Sequence, residues 1–285
     1  MSTTARIRPA RLAPRLLMHA GLIAGAIVML YPLLWMVSSS VKPNNQIFTD
    51  LSLWPRELRL ENYSDGWSGI GVSFRTFFLN SFVISTLSVI GNVLSCSITA
   101  YAFARLEFRF KSFWFAVMLM TLMLPLHVLL VPQYVLFRNF GWLDSILPLT
   151  VPNFLATDAF FIFLIVQFIR GLPRELDQAA EMDGASPWQV YWQIIVPLCV
   201  PALVTTAIFT FIWSWNDFLS QLIYLNSVDN YTVSLGLRLF LDSVGVSSWG
   251  PMLAMSTLAL IPVFVLFLLF QRLLVEGIAT TGLKG

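Results

Sequence analysis

The sequence predicts an all-α membrane protein with six transmembrane helices. Three observations carry that prediction: 57% of the residues are hydrophobic, only 11% are charged, and six runs approach the roughly 20 apolar residues a helix needs to cross a bilayer. A mean hydropathy of +0.76 leaves too little polar side chain to cover a soluble globule of 285 residues. The surplus apolar surface must face lipid.

The runs lie near Leu16 to Val37, Phe77 to Ala102, Phe113 to Val131, Val151 to Ile169, Pro201 to Tyr224 and Pro251 to Val275. The first exceeds the apolar core of a secretory signal and lacks a convincing small-residue cleavage site before Lys42, so it reads as a membrane helix. Arg6, Arg8, Arg11 and Arg15 precede it without an acid, and Arg105, Arg109 and Lys111 follow the second run. That bias places both termini in the cytoplasm. The Pro-, Asn- and Trp-rich stretch from Lys42 to Arg75 suits an external loop. The expected organisation is a cytoplasmic tail, first helix and external loop over 1–73, a transmembrane core over 74–275, and a cytoplasmic C-terminal tail over 276–285.

Several functions are disfavoured. A net charge of +2 with scattered arginines offers no nucleic-acid footprint. Cys96 and Cys199 lack CxxC spacing, and His19 and His127 stand alone in apolar runs, so no metal set forms and both cysteines read as small buried residues. No GxxxxGK[ST] stretch exists to hold a nucleotide, and no segment between runs is long enough for a catalytic domain. The chain is expected to be non-catalytic, with no cofactor of its own.

The segment from Gly171 to Pro197 spells two short helices and a turn. Pro173 fits a first helical position, Glu175 and Asp177 complement the helix dipole, and Gly184 supplies the left-handed stop. Ser186, Pro187 and Gln189 form a capping box, after which Trp188, Tyr191, Trp192 and Ile195 share one face that should bury. Such a segment serves either as an amphipathic connector on lipid headgroups or as a docking element.

The wording Gln178-Ala179-Ala180, Gly184, Ile194-Ile195-Val196-Pro197 resembles the EAA loop of binding-protein-dependent ABC importer permeases. The resemblance runs from about Phe74 to Arg272 and is nearest the carbohydrate-uptake branch of maltose-permease type. It is supported by Tyr101-Ala-Phe-Ala-Arg-Leu-Glu-Phe108, Trp215-Asn-Asp-Phe218 and the Gly282-Leu-Lys-Gly285 tail. It implies a multi-pass protein of the bacterial inner membrane that works with a second, MalF-like permease. It also implies two copies of a MalK-like cytoplasmic ATPase, which bind ATP and Mg2+, and an extracytoplasmic solute-binding protein. By the same resemblance, Gln178, Ala179, Ala180, Glu181, Asp183 and Gly184 are the ATPase-coupling residues. Gln178 stands where the family usually has Glu, and Val196 where it has Leu, so Glu181 or Asp183 is left to make any charged contact.

Ser81, Ser85, Ser88, Asn92, Ser95 and Thr99 trace one polar stripe along the second run, suited equally to tight packing or to a solute pathway. The fifth run carries Thr206, Thr210, Trp213, Ser214, Asp217, Ser220, Gln221 and Tyr224. An ionisable residue within a span normally faces a cavity or a partner, so Asp217 and Asp158 are the leading pathway residues and are expected to border one outer cavity. Asn92, Trp213, Asn216 and Gln221 complete the candidate set, and Trp213 and Trp215 offer flat faces for a sugar. A carbohydrate is the expected solute, with glycerol-phosphate or a polyol as the alternative. From other classes, an ion-coupled transporter would use Asp158 and Asp217 as ion sites, although matched broken helices are not evident in the sequence. An intramembrane aspartyl protease would need a Gly-x-Gly-Asp context that neither acid has.

Overall fold

The computed structural model describes residues 12–69, 71–242 and 248–282. Arg6, Arg8, Arg11 and Leu283 to Gly285, all used above, lie outside the described residues. The regular elements are helical throughout the described residues. They are α1 (Leu12–Ser39), α2 (Glu61–Ser68), α3 (Phe74–Arg105), α4 (Lys111–Thr121), α5 (Leu126–Asn139), α6 (Leu147–Thr150) and α7 (Ala159–Arg170). Then follow α8 (Glu175–Met182), α9 (Pro187–Val190), α10 (Val196–Leu198), α11 (Val200–Asn216), α12 (Leu219–Tyr224), α13 (Val233–Asp242) and α14 (Trp249–Gly282). A 3-10 turn over Val151–Leu155 extends α6, and a π-turn over Tyr191–Ile195 joins α9 to α10.

Four stretches are long and apolar enough to cross a membrane: Leu17–Ser39, Phe74–Arg105, Leu147–Arg170 and Trp249–Arg272. A fifth arises if Pro187–Leu198 and Val200–Asn216, which meet at a 75° bend, form one broken span. The expected third span differs. Instead of one helix from Phe113 to Val131, α4 ends at Thr121 and α5 starts at Leu126, with Pro125 extended at ψ 131°. Proline biases its predecessor away from the helical region and cannot donate to the preceding turn, so the ladder stops there.

The chain folds as two compact units, residues 1–69 with 240–258 and residues 70–239 with 259–285. The first unit is organised around Lys42, which is fully buried and donates through Nζ to the carbonyls of Asp50 (2.8 Å) and Ser52 (2.6 Å). Asn62 donates to the carbonyls of Ser40 and Lys42, both at 2.9 Å. A buried cation is tolerated there because carbonyl oxygens replace its water. From Leu17 to Leu34 the side chains of α1 are exposed, including Leu22, Ile23, Val28 and Met29, as suits a helix in lipid.

In the second unit α3 is the central post, flanked by α7, α11 and the Val151–Leu155 turn. Lipid is as apolar as leucine, so close packing and polar contacts rather than water expulsion hold such helices together. The polar stripe on α3 supplies both. Ser81 Oγ accepts from the Val233 N–H at 2.9 Å, Ser95 Oγ donates to the Asn153 carbonyl at 2.7 Å, and Asn92 Nδ2 donates to Thr210 Oγ1 at 2.8 Å. Gly91 permits the closest approach: a Cβ there would stand 2.5 Å from the Phe154 ring. Cys96 and Cys199 are buried and unbonded to one another, as expected. Gly91→Leu should therefore destabilise the purified chain by about 1–3 kcal/mol, the usual range for overpacking, seen as a lower unfolding temperature in detergent.

Candidate solute cavity and coupling loop

Two breaks in apolar helices build the first site. Between the Val151–Leu155 turn and α7 the chain turns through Ala156 at φ 54°, and Asp158 caps α7 by accepting the N–H groups of Phe160 (3.2 Å) and Phe161 (3.4 Å). Between α11 and α12, Asp217 is extended, and its carboxylate accepts the Ser220 N–H at 3.2 Å. Each break frees peptide groups from the helical ladder, and a carboxylate supplies an acceptor for them. The two acids therefore stand at helix ends rather than inside continuous helices.

Both acids line one cavity of about 580 Å³, together with Asn92, Trp213, Asn216 and Gln221. All six expected pathway residues thus meet at one place. Gln133, Phe137 and Asn153 also line it and were missed. Gln133 was detectable as the one amide in the apolar stretch from Leu126 to Phe137. Its side-chain oxygen accepts the Tyr224 hydroxyl at 3.3 Å. Gln221 is held by donating to the Ser214 carbonyl at 3.1 Å and by accepting the Thr232 hydroxyl. Among the described residues, no Lys, Arg or His lines this cavity.

One expectation needs correction. Trp215 is 3% exposed, donates Nε1–H to the Ala259 carbonyl at 3.1 Å and stacks on Phe211, so it is a packing residue, whereas Trp213 is half exposed and reaches the cavity. The α3 stripe packs and also lines the cavity: Ser88 and Asn92 face it while bonded to Leu149 and Thr210, and Ser81 and Ser95 bond into neighbouring segments.

The second site is the segment from α8 to α10. Its capping box is formed: Ser186 N donates to Gln189 Oε1 at 2.7 Å, and Gln189 N donates to Ser186 Oγ at 3.3 Å. Gly184 turns at φ 81° with open space around it. Gln178, Ala179, Glu181, Asp183 and Gly184 are exposed, and Ala180 is half-buried. Pro173 lies in the turn before α8, where Arg174 takes the cap position. The aromatic face does not bury as a unit: Tyr191 and Ile195 are 1% exposed, but Trp188 and Trp192 remain outside.

The segment is pinned to α3. Arg105 Nε lies 2.7 Å from Asp177 Oδ2, and Arg105 Nη2 donates to the Leu172 carbonyl at 3.0 Å. The Nε–H bond is not aimed at the oxygen, so the contact is charge pairing rather than an aligned hydrogen bond. Burial pushes the Asp177 carboxyl up, and the Arg105 guanidinium opposes that shift. Tyr101 donates its hydroxyl to the Pro187 carbonyl at 3.0 Å, and the Ser97 and Tyr191 hydroxyls bond at 2.7 Å.

At the other end of the Leu147–Arg170 span sits an unforeseen knot. Asp144 accepts the N–H groups of Asn226 (2.9 Å) and Ser227 (2.8 Å) and the Ser227 hydroxyl, while its own carbonyl accepts Asn230 Nδ2 at 2.7 Å.

The pattern of the Binding-protein-dependent transport system inner membrane component family matches residues 91–280, about two thirds of the chain. The chain belongs to this family. This permease is 34% identical to the probable ABC transporter permease protein YurM of Bacillus subtilis, across 91% of this chain and 85% of that one. It is 32% identical to the arabinooligosaccharides transport system permease protein AraQ of Halalkalibacterium halodurans, across 91% and 93%. Its fold matches a chain in the crystal structure of a bacterial ABC transporter involved in import of the acidic polysaccharide alginate. That match has a TM-score of 0.82 and 20% identity, over 94% of this permease and 99% of that chain.

The Ser227 bonds hold the Asp144 carboxyl well below the usual carboxylate range. A depressed folded value contributes stability above the unfolded value near 4, and that stability is lost as pH falls through the folded value. Asp144→Ala should lower the unfolding temperature of the permease by a few degrees at neutral pH and flatten its acid dependence. Both effects are read from melts between pH 7 and pH 3.

Proposed function

We propose that this permease, paired with a second permease subunit, forms the membrane pathway of an ATP-driven importer for an uncharged saccharide delivered by an external solute-binding protein. The observation that carries the proposal is the cavity at Asn92, Asp158, Trp213, Asn216, Asp217 and Gln221. Its volume falls within the roughly 300–1,000 Å³ of small-molecule sites. Amides donate to and accept from sugar hydroxyls, carboxylates accept from them, and the Trp213 ring gives a flat apolar face. Two carboxylates with no basic side chain among the described lining residues disfavour glycerol-phosphate or another anion, which would need a cation.

Energy enters through Gln178, Ala179, Ala180, Glu181, Asp183 and Gly184, the exposed turn that a separate cytoplasmic ATPase grips. The ATPase holds the nucleotide and Mg2+, and the permease does no chemistry. On this reading α4 and α5 together make the sixth crossing, both termini lie in the cytoplasm, and the protein sits in a bacterial inner membrane. Residues 1–73 form an accessory segment outside the 74–275 core, and 276–285 form its C-terminal end. An ion-coupled mechanism is less well supported, because Asp158 and Asp217 already have a structural task as helix caps.

Gly184→Asp places a side chain where the backbone is left-handed and a charge where the ATPase would close. Uptake and ATPase copurification should both be lost while membrane insertion persists. Normal uptake in that variant excludes the joint. Asp217→Asn keeps an oxygen to cap α12 but removes the charge. It should cut uptake of the binding protein's copurified solute several-fold with assembly intact, and unchanged uptake kinetics take Asp217 out of the pathway.

A further inference from the structure

Three routes lead from the Gln178–Gly184 turn to the cavity. The route through α11 crosses the 75° bend between Pro187–Leu198 and Val200–Asn216. The route through α7 is helical from Arg170 to Ala159 and meets the cavity at its cap, Asp158. The longest is α3, 32 residues from Phe74 to Arg105 without a proline. It presents Ser88 and Asn92 to the cavity, with Asn92 roughly 20 Å from Arg105 at 1.5 Å per residue.

The loop is covalently continuous with α7 and α11, yet its side-chain bonds run to α3 and hold both halves of the elbow. Arg105 takes the α8 side through Asp177 and the Leu172 carbonyl. Tyr101 and Ser97 take the α9 side through the Pro187 carbonyl and the Tyr191 hydroxyl. The Arg105 and Asp177 side chains are only 6% and 13% exposed. A buried ion pair adds little net stability, because desolvation offsets attraction, but breaking one partner leaves a charge without company. Such a pair is suited to fixing position.

We propose that Arg105 and Asp177 are positioning residues that make α3 the lever arm of the permease, carrying motion of the loop to the cavity wall. This rests on the loop being the ATPase joint. When the ATPase moves α8, the paired guanidinium and carboxylate draw the end of α3 with it. A rigid helix then delivers that displacement to Ser88 and Asn92, while the 75° bend lets α11 lag.

The test uses the whole transporter, with partner permease, ATPase and binding protein, in inside-out membrane vesicles. Ser214→Cys places a reporter in the cavity, and a charged methanethiosulfonate reagent measures its accessibility with and without ATP and vanadate. Cys96 and Cys199 are buried and give little background. In the reporter background the nucleotide should change labelling several-fold. Arg105→Gln and Asp177→Asn should keep ATPase copurification and hydrolysis but lose that response, Arg105→Lys should restore most of it, and Tyr101→Phe should weaken it.

A full nucleotide response in both Arg105→Gln and Asp177→Asn overturns the lever. Loss of ATPase copurification in all of these variants, Tyr101→Phe included, also overturns it, because the contacts would then only build the joint. Gly184→Asp separates the two ideas: if it retains ATPase and response, the joint itself is wrong, whereas its failure beside a normal Arg105→Gln removes the lever alone.

Discussion

A peptide group that loses its helical partner inside a bilayer must find another, because no water is available to it. This permease breaks several apolar helices, and two of the breaks are answered by a side chain that also lines a cavity. Asp158 and Asp217 are the clearest answers, since each accepts backbone N–H groups at a helix start. The same carboxylates make the enclosed space polar. The residues that cap the helices therefore also line the cavity.

The second theme is the division of labour among the helices of the core unit. The helices α7 and α11 are interrupted next to the cavity, whereas α3 is continuous and bonded at both ends. At its start Asn80 donates to the carbonyls of Asp229 (2.8 Å) and Tyr231 (2.9 Å). At its end Arg105 and Tyr101 grip the loop. Small residues and hydroxyls along its length allow close approach, as at Gly91 beneath Phe154. Stiffness and close packing in one helix, with bends in its neighbours, is the arrangement expected of a structure that switches between discrete packings.

Much of this was legible in the sequence, for reasons that differ by element. The span around Phe74–Arg105 was readable because bilayer thickness dictates an apolar run of known length. The Ser186 capping box and the Gly184 turn were readable because their chemistry is local. The break at Pro125 was marked by the proline itself, but an apolar run long enough to span masks a helix stop when only its length is read. Trp213 and Trp215 stand two residues apart on one helix, and only packing decides that the first meets the cavity and the second the core. Tyr191 and Trp192 divide for a similar reason, since neighbours on a helix point different ways and packing decides which is covered. The Asp144 knot was beyond reach, since its partners lie 82, 83 and 86 residues away. The Arg105–Asp177 pair was equally distant in sequence, although both residues fell in segments already singled out.

The Asp144 knot has a mechanical meaning. It fastens the segment before α6 to the segment after α12, and Asn80 fastens the start of α3 to that same stretch. Three strands of the bundle therefore share one anchor at this end and cannot slide independently. If the cavity is the proposed pathway, the reshaping that keeps these bonds is a tilt about that anchor, with amplitude growing toward the opposite face, in the manner of a fan opening from its rivet.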